Sequence, residues 1–217
     1  MRKESLIILW STLGIVFIAY LFLALKLIWE IYREKKWIKS LGKSQLLELE
    51  DLLDSCLKSA QIDFDNTVSI DSLIIQQGYT IKKKLIMPFS EAYTTKKPKC
   101  DVYIRRSLPN DRRHFALAHE LMHIIYKSEE LEEKSLSRNI HSILKSRAES
   151  EQIRDYMAAS LILRKDSFWN EIIRAHYYEI SPKERKAFVF QSAEKYNVEP
   201  SMVFRRISEL EIIMRTQ

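Results

Sequence analysis

Arg112-Arg113-His114-Phe115-Ala116-Leu117-Ala118-His119-Glu120-Leu121-Met122-His123-Ile124-Ile125-Tyr126 is the stretch on which the reading of this chain turns. It holds no Gly and no Pro. Phe115, Ala118, Leu121, Met122 and Ile125 recur at three- and four-residue steps, which predicts an amphipathic helix with one buried face. Pro109 closes the extended segment before it, and Asn110 or Asp111 can cap the free N–H groups of the first turn. His119 and His123 stand four residues apart on one face, where two imidazoles can hold one metal ion together. Glu120 sits about 100° round the helix from His119, where its carboxylate can act as general base on an activated water. With only 5 His in 217 residues, a shuffled chain should show this five-residue pattern about once in a hundred tries.

Two histidines need a third protein ligand, with one position left for water. The continuation with Gly and a third His is absent: Tyr126 and Glu129 stand there. Glu129, Glu130, Glu132 and Glu133, with Lys134, read as a solvated acidic turn. The better source is a second helix, roughly 148–163, whose apolar run Tyr156 to Leu163 predicts burial. Glu151 can supply the third ligand. Asp155, one turn on, can accept the outer N–H of a ligating histidine and fix its tautomer. Glu149 is the fallback ligand, and His141 a more remote one.

The run Arg113 to His123 resembles the active-site helix of the ImmA/IrrE-type metallopeptidases, which reads R-x-F-T-L-A-H-E-L-G-H. Glu151-Gln152-Ile153-Arg154-Asp155-Tyr156-Met157-Ala158-Ala159-Ser160-Leu161-Ile162-Leu163 is similar to the family's second block, E-x-x-A-N-x-F-A-A-x-L-L-M-P. The resemblance covers roughly residues 60–210. It implies Glu151 as third zinc ligand and puts Asp155 where the family has Asn. Met122 replaces a Gly, Arg154 an Ala and Arg164 a Pro; none of these removes a proposed ligand. The fold implied is α+β: a zincin-like core with a small mixed or antiparallel sheet beside the His-Glu-x-x-His helix, then a C-terminal helical block. The cofactor implied is Zn2+, and the substrate a protein, with a helix-turn-helix repressor as the family's type.

Residues 6–25 form a second signal: twenty residues without a charge, about 30 Å as a helix, the thickness of a bilayer core. Trp10 and Trp29 suit its two interfaces. A cleaved leader would have a shorter apolar core and a small-x-small cleavage site. The expectation is a single-pass membrane anchor. Arg2 and Lys3 precede it, and Lys26, Arg33, Lys35, Lys36, Lys39 and Lys43 follow, so the positive-inside rule puts the C-terminal domain in the cytoplasm. The formal charge of +6 is largely this cluster and reads as lipid-headgroup contact rather than nucleic-acid binding. Two cysteines, Cys56 and Cys100, give no disulfide framework and agree with a reducing compartment.

The expected organisation is an anchor with its flanks over 1–32, a basic segment and amphipathic helix over 33–60, a metallopeptidase core over 61–178 and a helix-turn-helix-like block over 179–217. Leu46, Leu49, Leu53, Cys56, Leu57 and Ala60 form one stripe of a helix that is either a stalk or the first helix of the core. A short helix over 71–77 ends at Gly78, a natural left-handed cap. Strands follow over 79–87, with Lys82, Lys83 and Lys84, and over 100–105. Val102 to Arg106 is either an edge that pairs with extended substrate or an ordinary sheet strand. Phe188 to Tyr196 and Met202 to Leu210 predict two helices about a turn at Asn197 to Ser201. Interleaved acidic residues leave no basic stripe for DNA, so nucleic acid is not expected as a partner.

The activity expected is zinc-assisted peptide hydrolysis, with His119, His123 and Glu151 on the metal and Glu120 moving the proton. The oxyanion donor stays open among Tyr126, His141 and Tyr156. A zinc-containing membrane regulator that binds a protein partner and turns over nothing is the alternative, and a DNA-binding anchor a third. The sequence names neither a substrate nor an oligomeric state.

Overall fold

The computed structural model describes residues 41–63, 68–87, 90–95, 98–126 and 147–215 (147–150 and 215 by backbone alone). Lys43–Gln217 is one compact unit; of the other, Met1–Gly42, only Leu41 and Gly42 are among the described residues. Helix α1 (Lys43–Ser59) and helix α2 (Ile70–Gln76) come first, then strands β1 (Thr80–Lys84), β2 (Ala92–Thr94) and β3 (Asp101–Arg105). Helices α3 (Asn110–Ile125), α4 (Arg147–Ile162), α5 (Lys165–Arg174), α6 (Pro182–Tyr196) and α7 (Pro200–Arg215) complete the described elements, an α+β arrangement.

The sheet runs β1-β3-β2, with β3 parallel to β1 and antiparallel to β2. Val102 and Ile104 of β3 are buried on the face towards α3, which packs on both β2 and β3. Thr94 pairs with Val102 and Ala92 with Ile104, so these β2 side chains share that face. Tyr93 pairs with Tyr103 on the other face, their rings stacked at 5.0 Å beneath the Lys84 ammonium. The central place of β3 decides between the two readings: Val102–Arg106 is an ordinary sheet strand and not the edge beside α3. Both flanks of β3 are taken by ladder hydrogen bonds, and among the described residues the edge on that side is β2, too short to show in the sequence.

Helix α3 packs most closely against α4, which in turn lies on α1. Ala118, Leu121 and Met122 are buried as the periodicity predicts, with Leu117 and Ile124 added to that face, while Phe115 and Ile125 are half-buried. Its N-cap is Pro109, without a side-chain cap bond; Asp111 Oδ1 accepts from the Arg112 N–H instead. Ser69 caps α2, and Gly78 follows it at φ +81°. The α1 stripe is buried against α4 and α7, so this helix is part of the compact unit. Helix α6 starts six residues before Phe188, at Pro182, behind a full Ser181–Glu184 capping box.

The membrane placement is corrected. Residues 6–25 lie outside the described residues, and among the described residues no helix is long and apolar enough to cross a bilayer. Helix α1 has 17 residues, about 25 Å, short of a hydrocarbon core, and carries Glu48, Glu50, Asp51 and Asp54. A single-pass localisation and a membrane partner are thus supported by none of the described helices.

Candidate metal centre

The packing of α4 on α3 brings the sequence's candidates together. His119 Nε2 and His123 Nε2 lie 3.1 Å apart, and Glu151 Oε2 lies 3.2 Å from each. Three donor atoms thus form a nearly equilateral triangle. In a tetrahedral site with bonds of about 2.0–2.1 Å, ligand atoms stand roughly 3.3 Å from one another. The spacing and the chemistry of the set would fit a zinc ion held by these three residues.

Each corner is held from behind. His119 Nδ1 lies 2.6 Å from Asp155 Oδ1, which selects the tautomer with its proton on Nδ1 and turns Nε2 towards the triangle. The other Glu151 oxygen, Oε1, accepts from Arg154 Nη1 at 3.0 Å. Desolvation alone would lower the His119 pKa, but the carboxylates of Asp155 and Glu151 outweigh it and push the imidazolium up to about 10. The two imidazoles, with help from Arg154, hold the Glu151 carboxyl well below the usual carboxylate range. A buried imidazole that strongly attracts a proton is equally placed to attract a metal cation.

Glu120 sits apart in role. It is buried, and its Oε2 accepts the Thr94 hydroxyl at 2.6 Å, so strand β2 orients the carboxylate. His119, Glu120 and His123 each bring a donor atom within 4.8 Å of the others, so Glu120 faces the same space as the imidazoles. Thr94 was not legible: nothing marks one threonine in a three-residue strand. Arg154 showed in the sequence only as a departure from the family pattern.

Of the candidate oxyanion donors, Tyr156 is spoken for: its hydroxyl donates to Glu50 Oε1 at 2.6 Å in the core between α1 and α7. Tyr126 is buried with the Arg154 guanidinium 5.6 Å over its ring. His141, the Glu149 side chain and the acidic turn 129–133 lie outside the described residues. Arg205 and Arg206 of the C-terminal block turn inward. Arg206 is fully buried against Glu50, Tyr156 and Glu209, and Arg205 Nη2 donates to the Asp155 carbonyl at 3.2 Å. Neither is offered to a nucleic acid.

Residues 80–208 match the family profile described as IrrE N-terminal-like domain, Peptidase M78. The chain belongs to that family. The match spans both the α3 histidines and the α4 carboxylates. No curated protein matches the chain. Among solved structures, a Mycobacterium tuberculosis transcriptional regulator superposes with a TM-score of 0.52 at 12% identity, over 74% of this chain and 46% of that one. That likeness is one of fold; the IrrE-like chain spans about half of that regulator's length.

Proposed function

We propose that this IrrE-like chain is a zinc-dependent peptidase acting on a protein substrate, with His119, His123 and Glu151 as metal ligands and Glu120 as general base. The observation that supports this best is the triangle of Nε2, Nε2 and Oε2 atoms at 3.1–3.2 Å, with a separate buried carboxylate beside it. Zinc bound there would polarise the scissile carbonyl and lower the pKa of the attacking water towards about 7.

The protein's own groups do the rest. Glu120 takes the water's proton as the water attacks, then passes it to the departing amine. Thr94 holds Glu120 Oε2 by its hydroxyl, so the remaining oxygen is free for that proton. Asp155 keeps the His119 proton on Nδ1 and so keeps Nε2 free as a donor. Extended substrate backbone pairs with edge strand β2, which lies beside α3 and places the scissile bond over Glu120. A DNA-binding repressor is the specific substrate class proposed; it rests on the family, and the fold's occurrence in a transcriptional regulator agrees with it.

The test compares proteomes and metal content of cells expressing wild type, Glu120→Gln and Glu151→Ala. Expected are one zinc per chain in wild type and Glu120→Gln, loss of zinc in Glu151→Ala, and a protein fragment made by wild type alone. Zinc retained by all three would remove Glu151 from the ligand set. An unchanged proteome with an unchanged cellular output in Glu120→Gln would replace the peptidase with a zinc-containing regulator that only binds.

A further inference from the structure

Glu151 is the exposed member of the triangle: its side chain keeps 40% of its accessible surface, against 18% for His119 and 28% for His123. A half-exposed glutamate on a helix has free χ angles and two equivalent oxygens. Left alone, it could turn either oxygen, or both, towards the imidazoles. In the structure it turns one oxygen only. Oε2 stands equidistant from the two Nε2 atoms, and Oε1 is withdrawn to Arg154.

Arg154 is built to hold that pose. It follows Glu151 by three residues on α4, the spacing at which side chains of one helix face meet. Its side chain keeps only 13% of its surface, and the guanidinium lies over the Tyr126 ring just beyond the end of α3. Its Nε finds no acceptor among the described residues, so the burial carries a polar cost that packing alone would not require. A charge-assisted bond to one oxygen also fixes the carboxylate's orientation more firmly than a neutral donor would.

We propose that Arg154 is a positioning residue that commits Glu151 to the imidazole pair through one oxygen. This rests on the ligand set proposed above. With Oε1 occupied, the carboxylate would offer a bound metal one oxygen only. Held in place before the metal arrives, that oxygen would need no further ordering on binding.

The test uses the full chain loaded with cobalt(II) as a spectroscopic stand-in, and zinc competition with a chromophoric chelator, for wild type, Arg154→Met, Arg154→Lys and Glu151→Ala. Arg154→Met keeps an unbranched apolar stem against the Tyr126 ring while removing the clamp. It is expected to bind one cobalt ion with weaker visible absorption, as the second Glu151 oxygen raises the coordination number. Its zinc affinity should fall about tenfold, a typical loss for an outer partner of a ligand, and less than in Glu151→Ala. Arg154→Lys should recover most of the wild-type spectrum, and it carries the test alone should the Met variant not fold. A wild-type spectrum and affinity in Arg154→Met would overturn the proposal, whatever happens to the melting temperature. So would a loss of metal as complete as in Glu151→Ala. A wild type that binds no metal would remove the ligand set and the clamp together. A wild type that binds cobalt but cuts no protein would sink the peptidase reading and leave the role of Arg154 to be judged on the spectrum.

Discussion

Thr94 shows how much of the site hangs on single atoms. Its hydroxyl is the donor that fixes Glu120, so Thr94→Val should leave metal content unchanged and lower the cleavage rate about 10- to 100-fold, with Thr94→Ser close to wild type. Steady-state rates beside metal analysis check this. The His119 pKa gives a pH prediction. In the metal-free protein the folded-state value, about 10, lies above the ordinary 6.5, so protonation stabilises the fold fully below pH 6.5 and this contribution is lost as pH rises towards 10. Melting curves with chelator present should fall over that window. The same proton must leave when zinc binds, so binding near pH 7 should release about one proton and weaken about tenfold per unit of acidification. Calorimetry in buffers of different ionisation enthalpy measures the release. His119, Glu120 and His123 were legible because their geometry is set within a single turn of helix. Glu151 was legible because an apolar run fixes the face of α4 and the family pattern points to that position. Thr94 was not, because its role depends on strand pairing that no local pattern records.

At the scale of elements, the helices read more truly than the sheet. Apolar periodicity marks α1, α3 and the last two helices, a continuous apolar run marks α4, and Gly78 marks the end of α2. Helix α5 is not among the elements expected above, and α6 begins before the expected Phe188, at the capping box Ser181-Pro182-Lys183-Glu184. Ser181→Ala should cost about 1 kcal/mol of stability, read by denaturant titration, with Ser181→Asp near neutral. Strand order was beyond the sequence. Val102 and Ile104 alternate correctly for a strand with one buried face, yet alternation says nothing about which neighbours flank it. Hence the difference between an edge at Val102–Arg106 and a central β3 with β2 outside it.

The compact unit Lys43–Gln217 is pinned by a buried ionic knot between its first and last described helices. Arg206 of α7 lies 2.8 Å from Glu50 of α1, which also accepts from Tyr156 and Ser160 of α4; Arg206 Nη1 lies 3.4 Å from Glu209. Burial works against a charge on Glu50, yet Arg206 and the hydroxyl donors more than offset it and lower its pKa. The stability this carboxylate contributes is thus present above its ordinary value and lost as pH falls below it. Arg206→Met should leave the buried Glu50 carboxylate without its cation, while Glu209 keeps Arg205 at 3.2 Å, and cost about 3–5 kcal/mol, seen as a lower denaturant midpoint. Replacing Glu50 as well should recover part of that loss. From the sequence, Arg205 and Arg206 look like surface cations on an amphipathic helix; only the packing of α7 on α1 and α4 turns them inward.

Strand β2 is three residues long, about 10 Å of backbone. On the proposed docking of substrate along this strand, β2 gives footing to two or three residues of a bound polypeptide, so scrambling the residues that flank the cut should alter turnover little, whereas detaching the rest of the target should abolish it.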